Sequence, residues 1–341
     1  MKNVKFFLKL ILALIPVVAI VLYTALFPYG YGDDDFAAWQ YKKDVISGKC
    51  LPFASNENDG PSSVIGTKPA NTVILGDSRA MAALNPLLFP KDTVNLAVGG
   101  ATSIEMYYTL SHYIENNGEP DNIVIMFAPF HYSIIDNFWT RSVYFDFFSV
   151  NDLLEIYNIA GATNSETLLC QGYTDDILSF KLHMPNKYLP ALMNSHLVGR
   201  YSANKESYNN LFNNQGHGEF GHANGSDELT YETSYSEMHS TNDAVLLDIY
   251  TNKLLAFCEE KGINTTLAMP PFNEASFNAL RPSYSEDFSE YIRVLENKHP
   301  GIDVHGDFYY LDNQYFGDAS HLNYEGAKVF TNSFLSDIYL K

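Results

Sequence analysis

The chain has 341 residues, and its 40 Asp and Glu against 21 Lys and Arg give a formal net charge of -19. This balance argues against a nucleic-acid partner, because binding to a phosphate backbone needs clustered cations. Hydrophobic residues make up 46% and charged residues 18%, so the composition excludes a disordered chain and allows one large domain or two smaller ones.

The N-terminal segment has the pattern of a membrane anchor. Residues 10–27 are apolar apart from Tyr23 and Thr24, and at about 1.5 Å per helical residue they nearly span a hydrocarbon core of about 30 Å. Three lysines precede this run and three aspartates follow it. The positive-inside rule then predicts a cytoplasmic tail at 1–9, a single-pass anchor at 10–28 and the remaining chain outside the cytoplasm.

A cleaved signal peptide is the alternative for this segment. The apolar region of such a peptide is usually only about 7–15 residues long and ends in a small-x-small site. The longer run and the bulky residues at 27–29 favour the uncleaved anchor. Both alternatives predict that the rest of the protein works outside the cytoplasm.

Residues 29–70 are rich in Gly, Asp, Pro, Ser and Asn without a sustained period, so they are predicted to be a stalk or lead-in.

Cys258 continues an apolar series at i+4 spacing and is predicted to be buried in a helix. Cys50 and Cys170 could then form one disulfide in an oxidising compartment, a pairing that the sequence alone does not establish.

From residue 71 onward, short apolar runs alternate with helical patterns. The predicted strands are 71–75, 93–98, 122–128, 263–269 and 302–306, and the predicted helices are 103–117, 243–262, one near 285–298 and a closing helix at 323–339. This alternation predicts βαβ units and a parallel sheet covered on both faces, in one domain over 71–341. Ligands of such sheets bind beyond the carboxyl ends of the strands, so the residues after each strand are the candidate site residues.

A large insertion, 130–240, follows the third predicted strand. Insertions of this length usually form a cap or a binding edge. Its first part, up to about residue 160, is aromatic, which favours a local core over a sugar site. The later part is polar and contains four side chains of a type that can bind metal, His217, Glu219, His222 and His239. Their spacing fits no compact ligand motif, so no metal is expected.

Candidate catalytic residues lie at both ends of the predicted domain. The first strand is followed by Gly-Asp-Ser-Arg, which places Ser78 near a helix N-terminus, where backbone N–H groups would surround an oxyanion; a plain turn is the alternative. Asp318 and His321 are three residues apart, so the carboxylate can reach one imidazole nitrogen and leave the other to face a serine. A turn cap is the alternative for Asp318. The combination predicts a Ser-His-Asp triad for acyl transfer.

Two segments of the chain, ILGDSRA and DASHLNYEGA, resemble blocks I and V of the SGNH, or GDSL-like, hydrolase superfamily. The resemblance covers 71–129 and 240–341 and implies a flavodoxin-like, three-layer α/β/α fold of SGNH type. It also implies that Ser78 is the nucleophile and that Asp318 and His321 are its two partners. The backbone N–H groups of Ser78 and Gly100 are then the oxyanion donors.

The third block of this family normally reads Gly-x-Asn-Asp, and its Asn donates a hydrogen bond to the oxyanion. This chain has FAPFHY at 127–132 instead, and losing one such donor typically lowers the rate by about 10²–10³. Either another group, with His131 and Tyr132 adjacent, substitutes for this donor, or the activity is weak or specialised. Both residues are also candidates for binding substrate, and a surface or hydrogen-bonded loop histidine is the alternative for His131. Arg79, beside Ser78, is predicted either to bind an acidic group of the substrate or to form a surface or helix-start salt bridge.

Membrane-anchored chains of this kind with an altered third block resemble bacterial accessory proteins of membrane-bound O-acyltransferases. The resemblance implies an extracytoplasmic serine acyltransferase or esterase that forms an acyl-enzyme on O-acyl groups, chiefly O-acetyl, of an envelope or exported polysaccharide. It implies no cofactor, and a membrane-bound O-acyltransferase as partner. The acidity of the exported part disfavours a strongly anionic glycan.

A non-catalytic module is the alternative function. Such a module would keep the SGNH-like fold and bind a glycan or a membrane-bound O-acyltransferase without turning over a substrate. The missing Asn of the third block favours the module, and the presence of Ser78, Asp318 and His321 favours the enzyme.

Overall fold

The computed structural model describes residues 2–26, 35–49, 69–169 and 199–339. The strands are β1 Thr72–Gly76, β2 Thr93–Asn95, β3 Asn122–Met126, β4 Asn264–Ala268, β5 Phe272–Asn273, β6 Ile302–His305 and β7 Tyr310–Leu311. Five of them form a parallel sheet in the spatial order β2-β1-β3-β4-β6, while β5 and β7 form a separate pair. The prediction of an α/β protein with a parallel sheet is confirmed.

The central strands lie in the core of the protein. All five residues of β1 are buried, and four of the five in β3 are buried. A parallel strand covered on both faces has no solvent-facing side, which explains the continuous apolar runs in the sequence. The register pairs Gly76 with Met126 at the carboxyl ends of β1 and β3. The residues that follow these two strands therefore lie next to each other at one edge of the sheet.

The α-helices in the described ranges are α1 Lys2–Leu26, α2 Phe36–Ile46, α3 Ser78–Ala83, α4 Ser103–Asn117, α5 Val150–Thr163, α6 Glu166–Leu169, α7 Gly199–Asn213, α8 Asn242–Lys261, α9 Glu274–Ala279, α10 Pro282–Lys298 and α11 Tyr324–Tyr339. Local signals set several starts: Thr102 and Glu105 form a capping box before α4, and Thr241 caps α8. α4 packs against α8, and α3 packs against α11, so each pair buries part of its apolar surface.

The predicted anchor at 10–28 overlaps α1 and ends outside the described residues. Among the residues that the structure describes, no helix has both the length and the apolarity needed to cross a membrane.

The stalk prediction for 29–70 is wrong at 35–49, because α2 forms there and most of its residues are buried. Phe36 and Trp39 belong to the core, and the Trp39 ring stacks on Phe145 of the insertion with 6.2 Å between ring centroids. α2 also packs against α7. A helix this short shows little periodicity, so the polar residues around it dominate the sequence pattern. The rest of the segment, apart from its last two residues, lies outside the described part of the chain.

The aromatic first part of the insertion forms core, as predicted. Phe138 and Phe148 are buried and stack with 5.3 Å between ring centroids. Cys258 is buried on α8, which confirms the prediction from its i+4 spacing. Cys50 and Cys170, the candidate disulfide pair, both lie outside the described residues.

Candidate active site

The turn after β1 presents Ser78 at the start of α3. The carboxylate of Asp77 caps this helix, because its Oδ1 accepts a hydrogen bond of 2.9 Å from the backbone N–H of Arg79. The other oxygen of Asp77 accepts a hydrogen bond of 2.9 Å from the N–H of Ala128, just after β3. One carboxylate thus joins the turn that carries Ser78 to the end of the neighbouring strand.

Ser78, His321 and Asp318 lie together in a hydrogen-bonded row. His321 Nε2 is 2.7 Å from Ser78 Oγ, and His321 Nδ1 is 2.8 Å from Asp318 Oδ2. Asp318 Oδ1 also accepts hydrogen bonds of 2.9 Å from the backbone N–H groups of Ser320 and His321. Partial burial raises the pKa of Asp318, but the His321 ring and these N–H groups outweigh it and lower the pKa to about 2. The carboxylate is therefore ionised at neutral pH, as the partner of an imidazole in this arrangement must be.

Gly100 and Asn137 line the same cavity as Ser78. Gly100 has a φ of +72°, and a Cβ at this position would overlap the side chain of Asn137. The amide of Asn137 thus packs directly against the glycine that the family resemblance assigns to the oxyanion hole. Asn137 lies beyond the FAPFHY segment that replaces the third block, and an Asn outside its expected motif carries no sequence signal.

His131 lines the cavity but is only 4% exposed. Its Nδ1 lies 2.8 Å from Asp77 Oδ2, and its Nε2 lies 3.5 Å from Asp136 Oδ1. Burial lowers the pKa of His131, but Asp136 and Asp77 more than compensate and raise it to about 9. The alternative that the sequence left open, a hydrogen-bonded loop histidine, describes this residue: a charged imidazolium that supports the turn before Ser78.

The structure corrects the prediction that Tyr132 binds substrate. The Tyr132 ring is buried and stacks on Phe127 with 4.0 Å between ring centroids. Its edges contact Phe288 and Tyr291 at centroid distances of 5.4 and 5.5 Å. Burial also raises the pKa of the Tyr132 hydroxyl well above its usual value. Tyr132 therefore belongs to the core: it ends a short 3-10 helix, Pro129–Tyr132, and its ring packs against Phe127.

Arg79 forms a salt bridge, the second of its two predicted roles, but the pair is buried and does not lie at the surface. Its Nη2 is 2.6 Å from Glu232 Oε1, and the two side chains are 5% and 0% exposed. The guanidinium carbon also lies 5.9 Å from the ring centroid of Phe130 and 5.4 Å from that of Phe272. Burial lowers the pKa of Arg79, and Glu232 outweighs this and raises it. Because Glu232 belongs to the insertion, this ion pair joins the insertion to α3, the helix that begins with Ser78.

The triad opens into a cavity of about 800 Å³. Ser207, Asn210 and Asn214 line one wall, and their spacing of three and four residues places them on one face of α7 or just past its end. Aromatic rings contribute a second wall: Phe130, Phe220 and Tyr231. Asp35 and Arg141 also line the cavity and form an ion pair of 3.0 Å with each other. The lining of the cavity thus offers hydroxyl and amide groups, and an ion pair whose charges offset each other.

Asn137, Phe220 and Glu232 are among the site residues that come from the insertion and lack a motif. Their contacts join segments that are far apart in the sequence, so the spacing of residues does not predict these contacts. His217, one of the residues weighed as a metal ligand, is buried, and its Nε2 lies 3.0 Å from the carbonyl oxygen of Ala82 on α3.

Replacing His131 with Gln is expected to change how stability depends on pH. The folded pKa of about 9 lies above the ordinary value of 6.5, so the stabilisation is complete below about pH 6.5 and is lost as the pH rises through about 9. This shift corresponds to about 3 kcal/mol. The free energy of unfolding, measured in urea from pH 6 to 10, should differ between wild type and variant most at pH 6 and least at pH 10.

The variant must be compared with wild type at each pH, because the titration of Lys42 changes the stability with pH in the opposite direction. Burial lowers the pKa of Lys42 to about 7, so its contribution to stability increases with pH. Both proteins carry Lys42, and its effect cancels in the difference between them. If the difference in the free energy of unfolding between wild type and His131→Gln stays constant from pH 6 to 10, His131 is not charged in the folded protein.

No protein-family model matches this chain, and no curated protein matches it at a significant level. What the site can do is therefore inferred from its geometry.

Proposed function

We propose that this protein is an SGNH-like serine acyltransferase or esterase that acts on O-acyl groups of a carbohydrate. The observation that carries the proposal is the row from Ser78 Oγ through the His321 imidazole to the ionised Asp318, with donor–acceptor distances of 2.7 and 2.8 Å. Nucleophile, base and orienting carboxylate in this order are the arrangement used for acyl transfer. The strand order β2-β1-β3-β4-β6 supports it, since flavodoxin-like sheets place their second strand outside the first in this way.

The reaction follows from the positions of the three side chains. His321 Nε2 takes the proton of Ser78 Oγ as that oxygen attacks the carbonyl carbon of the ester. The tetrahedral intermediate then collapses, the bond to the leaving alcohol breaks, and the imidazolium returns the proton to that alcohol. In the second half, His321 takes a proton from water or from an acceptor hydroxyl as that oxygen attacks the acyl-enzyme. The bond between the acyl carbon and Ser78 Oγ then breaks, and the imidazolium returns the proton to Ser78 Oγ. Asp318 stays ionised and stabilises the imidazolium in both halves.

The oxyanion of each tetrahedral intermediate needs hydrogen-bond donors. We assign the backbone N–H groups of Ser78 and Gly100 to this role, as the family resemblance implies. We assign the third donor to the side-chain amide of Asn137, which packs against Gly100 and lines the cavity. His131 Nδ1 is bonded to Asp77 while its Nε2 lies 3.5 Å from Asp136, and Tyr132 is in the core, so we assign neither in place of the missing block III Asn.

The cavity supports a carbohydrate substrate. A volume of about 800 Å³ exceeds what a short acyl group needs, and lies within the usual range for small-molecule sites. Its amide and hydroxyl side chains can exchange hydrogen bonds with sugar hydroxyls, and its rings offer apolar faces. Because Asp35 and Arg141 pair with each other, a neutral glycan fits better than a strongly anionic one.

The cellular setting of this proposal derives from the sequence of residues 1–28 alone. That segment supports an extracytoplasmic domain on a single-pass anchor. A membrane-bound O-acyltransferase is then the proposed partner, and no cofactor is part of the proposed reaction.

The test is serine-dependent labelling and turnover by the full-length protein. We expect a fluorophosphonate probe to label Ser78, and acetate to be released from an acetylated oligosaccharide. The Ser78→Ala variant should lose both, whereas Ser336→Ala, a serine exposed on α11, should keep both. Absence of Ser78-dependent labelling and turnover, with and without a membrane-bound O-acyltransferase, would leave the non-catalytic glycan-binding module as the function.

A further inference from the structure

One segment of the insertion touches both halves of the candidate triad. We call residues 215–226 the strap. Near its start, the strap is bound to β2 and to the nucleophile helix α3 by three hydrogen bonds, Asn95 N–H to Gln215 O at 2.8 Å, Gly218 N–H to Met81 O at 3.1 Å, and His217 Nε2 to Ala82 O at 3.0 Å. The strap is therefore fixed to the element that begins with Ser78.

The other end of the strap is bound to the loop that carries Asp318 and His321. Two backbone hydrogen bonds make this connection, His222 N–H to Gly317 O at 2.6 Å and Ser226 N–H to Asn313 O at 3.0 Å. Gly317 in turn donates its N–H to the carbonyl oxygen of His321 at 2.8 Å. The strap thus bridges the nucleophile helix and the base loop.

Two glycines set the register of this bridge. Gly221 has a φ of +64°, and a Cβ at this position would overlap the carbonyl oxygen of Gly317. A Cβ on Gly317 would likewise overlap the carbonyl oxygen of Phe220. The two backbones approach this closely only because neither residue has a side chain. The position of Phe220 over the base loop is consequently fixed by the backbone.

Phe220 uses this position to cover the imidazole of His321. The two rings are stacked, with 4.4 Å between their centroids and 15° between their planes. The His321 side chain is 17% exposed. Asp318 and Ser78 hold the two ring nitrogens, which lie in the plane of the ring. A flat group against one face adds a constraint out of that plane.

We propose that Phe220 is a positioning residue for the proposed reaction, and that it keeps the His321 imidazole in the orientation in which Nε2 faces Ser78 Oγ. The inference rests on the proposed function and extends it to a segment outside the resemblance to the SGNH family. Productive proton transfer requires the base to be within hydrogen-bond reach of the hydroxyl. A displacement of about 1 Å can lower the rate about 100-fold.

The test replaces the ring while retaining an apolar side chain. We expect Phe220→Leu to lower both kcat and the rate of fluorophosphonate labelling of Ser78 about 100-fold, with KM changed less than threefold. Phe220→Tyr, which keeps the flat ring, should stay within about threefold of wild type. Phe257→Leu is the matched control, because Phe257 is also a half-buried ring but lies on α8, against Tyr107.

A structural readout separates this inference from the proposed function. In crystals of the Phe220→Leu protein, we expect the imidazole of His321 to turn so that Nε2 lies more than 3.5 Å from Ser78 Oγ. Gly221→Ala, which pushes the strap away from Gly317, should produce the same displacement. An imidazole that keeps its place in both variants would overturn the role of Phe220, whether or not the wild-type protein turns over an ester. Failure of the wild-type protein to label, with the imidazole displaced in both variants, would instead reject the proposed function alone.

Discussion

Replacing His321 with Ala is expected to lower kcat for hydrolysis of an acetyl ester about 10⁶-fold, and Ser78→Ala should have the same effect. The imidazole is the group within 2.7 Å of Ser78 Oγ, so without it the hydroxyl must react without a base. Asp318→Asn should cost about 10⁴-fold, because the amide cannot stabilise the imidazolium and favours the wrong tautomer. Single-turnover measurements of acetate release give the chemical step directly.

The double variant Ser78→Ala/His321→Ala tests whether the two side chains act together. If Ser78 and His321 act as one unit, the protein that lacks both side chains should be about as slow as either single variant, since the second removal has nothing left to disrupt. His305→Ala is the matched control, because His305 lies at the end of β6 and does not line the cavity that contains Ser78. Losses that multiply in the double variant, or an Asp318→Asn protein at the wild-type rate, would contradict a coupled triad.

The triad could be predicted because each of its residues lies beside a local signal. Ser78 follows a short apolar strand, and the carboxyl ends of parallel strands are where ligands bind. Asp318 and His321 are three residues apart, so their contact needs only one turn of chain. The parallel sheet could be predicted for a similar reason, since strands buried on both faces produce continuous apolar runs.

The remaining parts of the site could not be predicted because they depend on tertiary contacts. Phe220 and Glu232 belong to a polar part of the insertion with no regular period, and each meets a partner about a hundred residues or more away in the chain. Tyr132 is the opposite case, because it is predicted to bind substrate and lies in the core. It follows a strand as site residues do, but its ring turns into the core against Phe127, and sequence position alone does not specify that direction.

Glu232→Ala is expected to lower the free energy of unfolding by about 3–5 kcal/mol. The guanidinium of Arg79 is 5% exposed and bonds to Glu232 at 2.6 Å, so the variant leaves a buried charge without its partner. Urea unfolding at neutral pH measures the loss. The exposed pair Arg293–Glu290 provides the control, and Glu290→Ala should have little effect, because water screens that pair and solvates each partner alone.

A paired substitution distinguishes the cost of an orphaned charge from the value of the ion pair itself. Buried pairs pay a desolvation penalty close to their mutual attraction, so replacing both members with apolar side chains of similar volume is often neutral or stabilising. Arg79→Met combined with Glu232→Leu should therefore recover most of the stability that Glu232→Ala loses. If the double variant also reacts with the fluorophosphonate at the wild-type rate, the ion pair contributes chiefly by joining the insertion to α3. If the double variant is as unstable as Glu232→Ala, the loss comes from packing around Glu232, and the buried charge is not its cause.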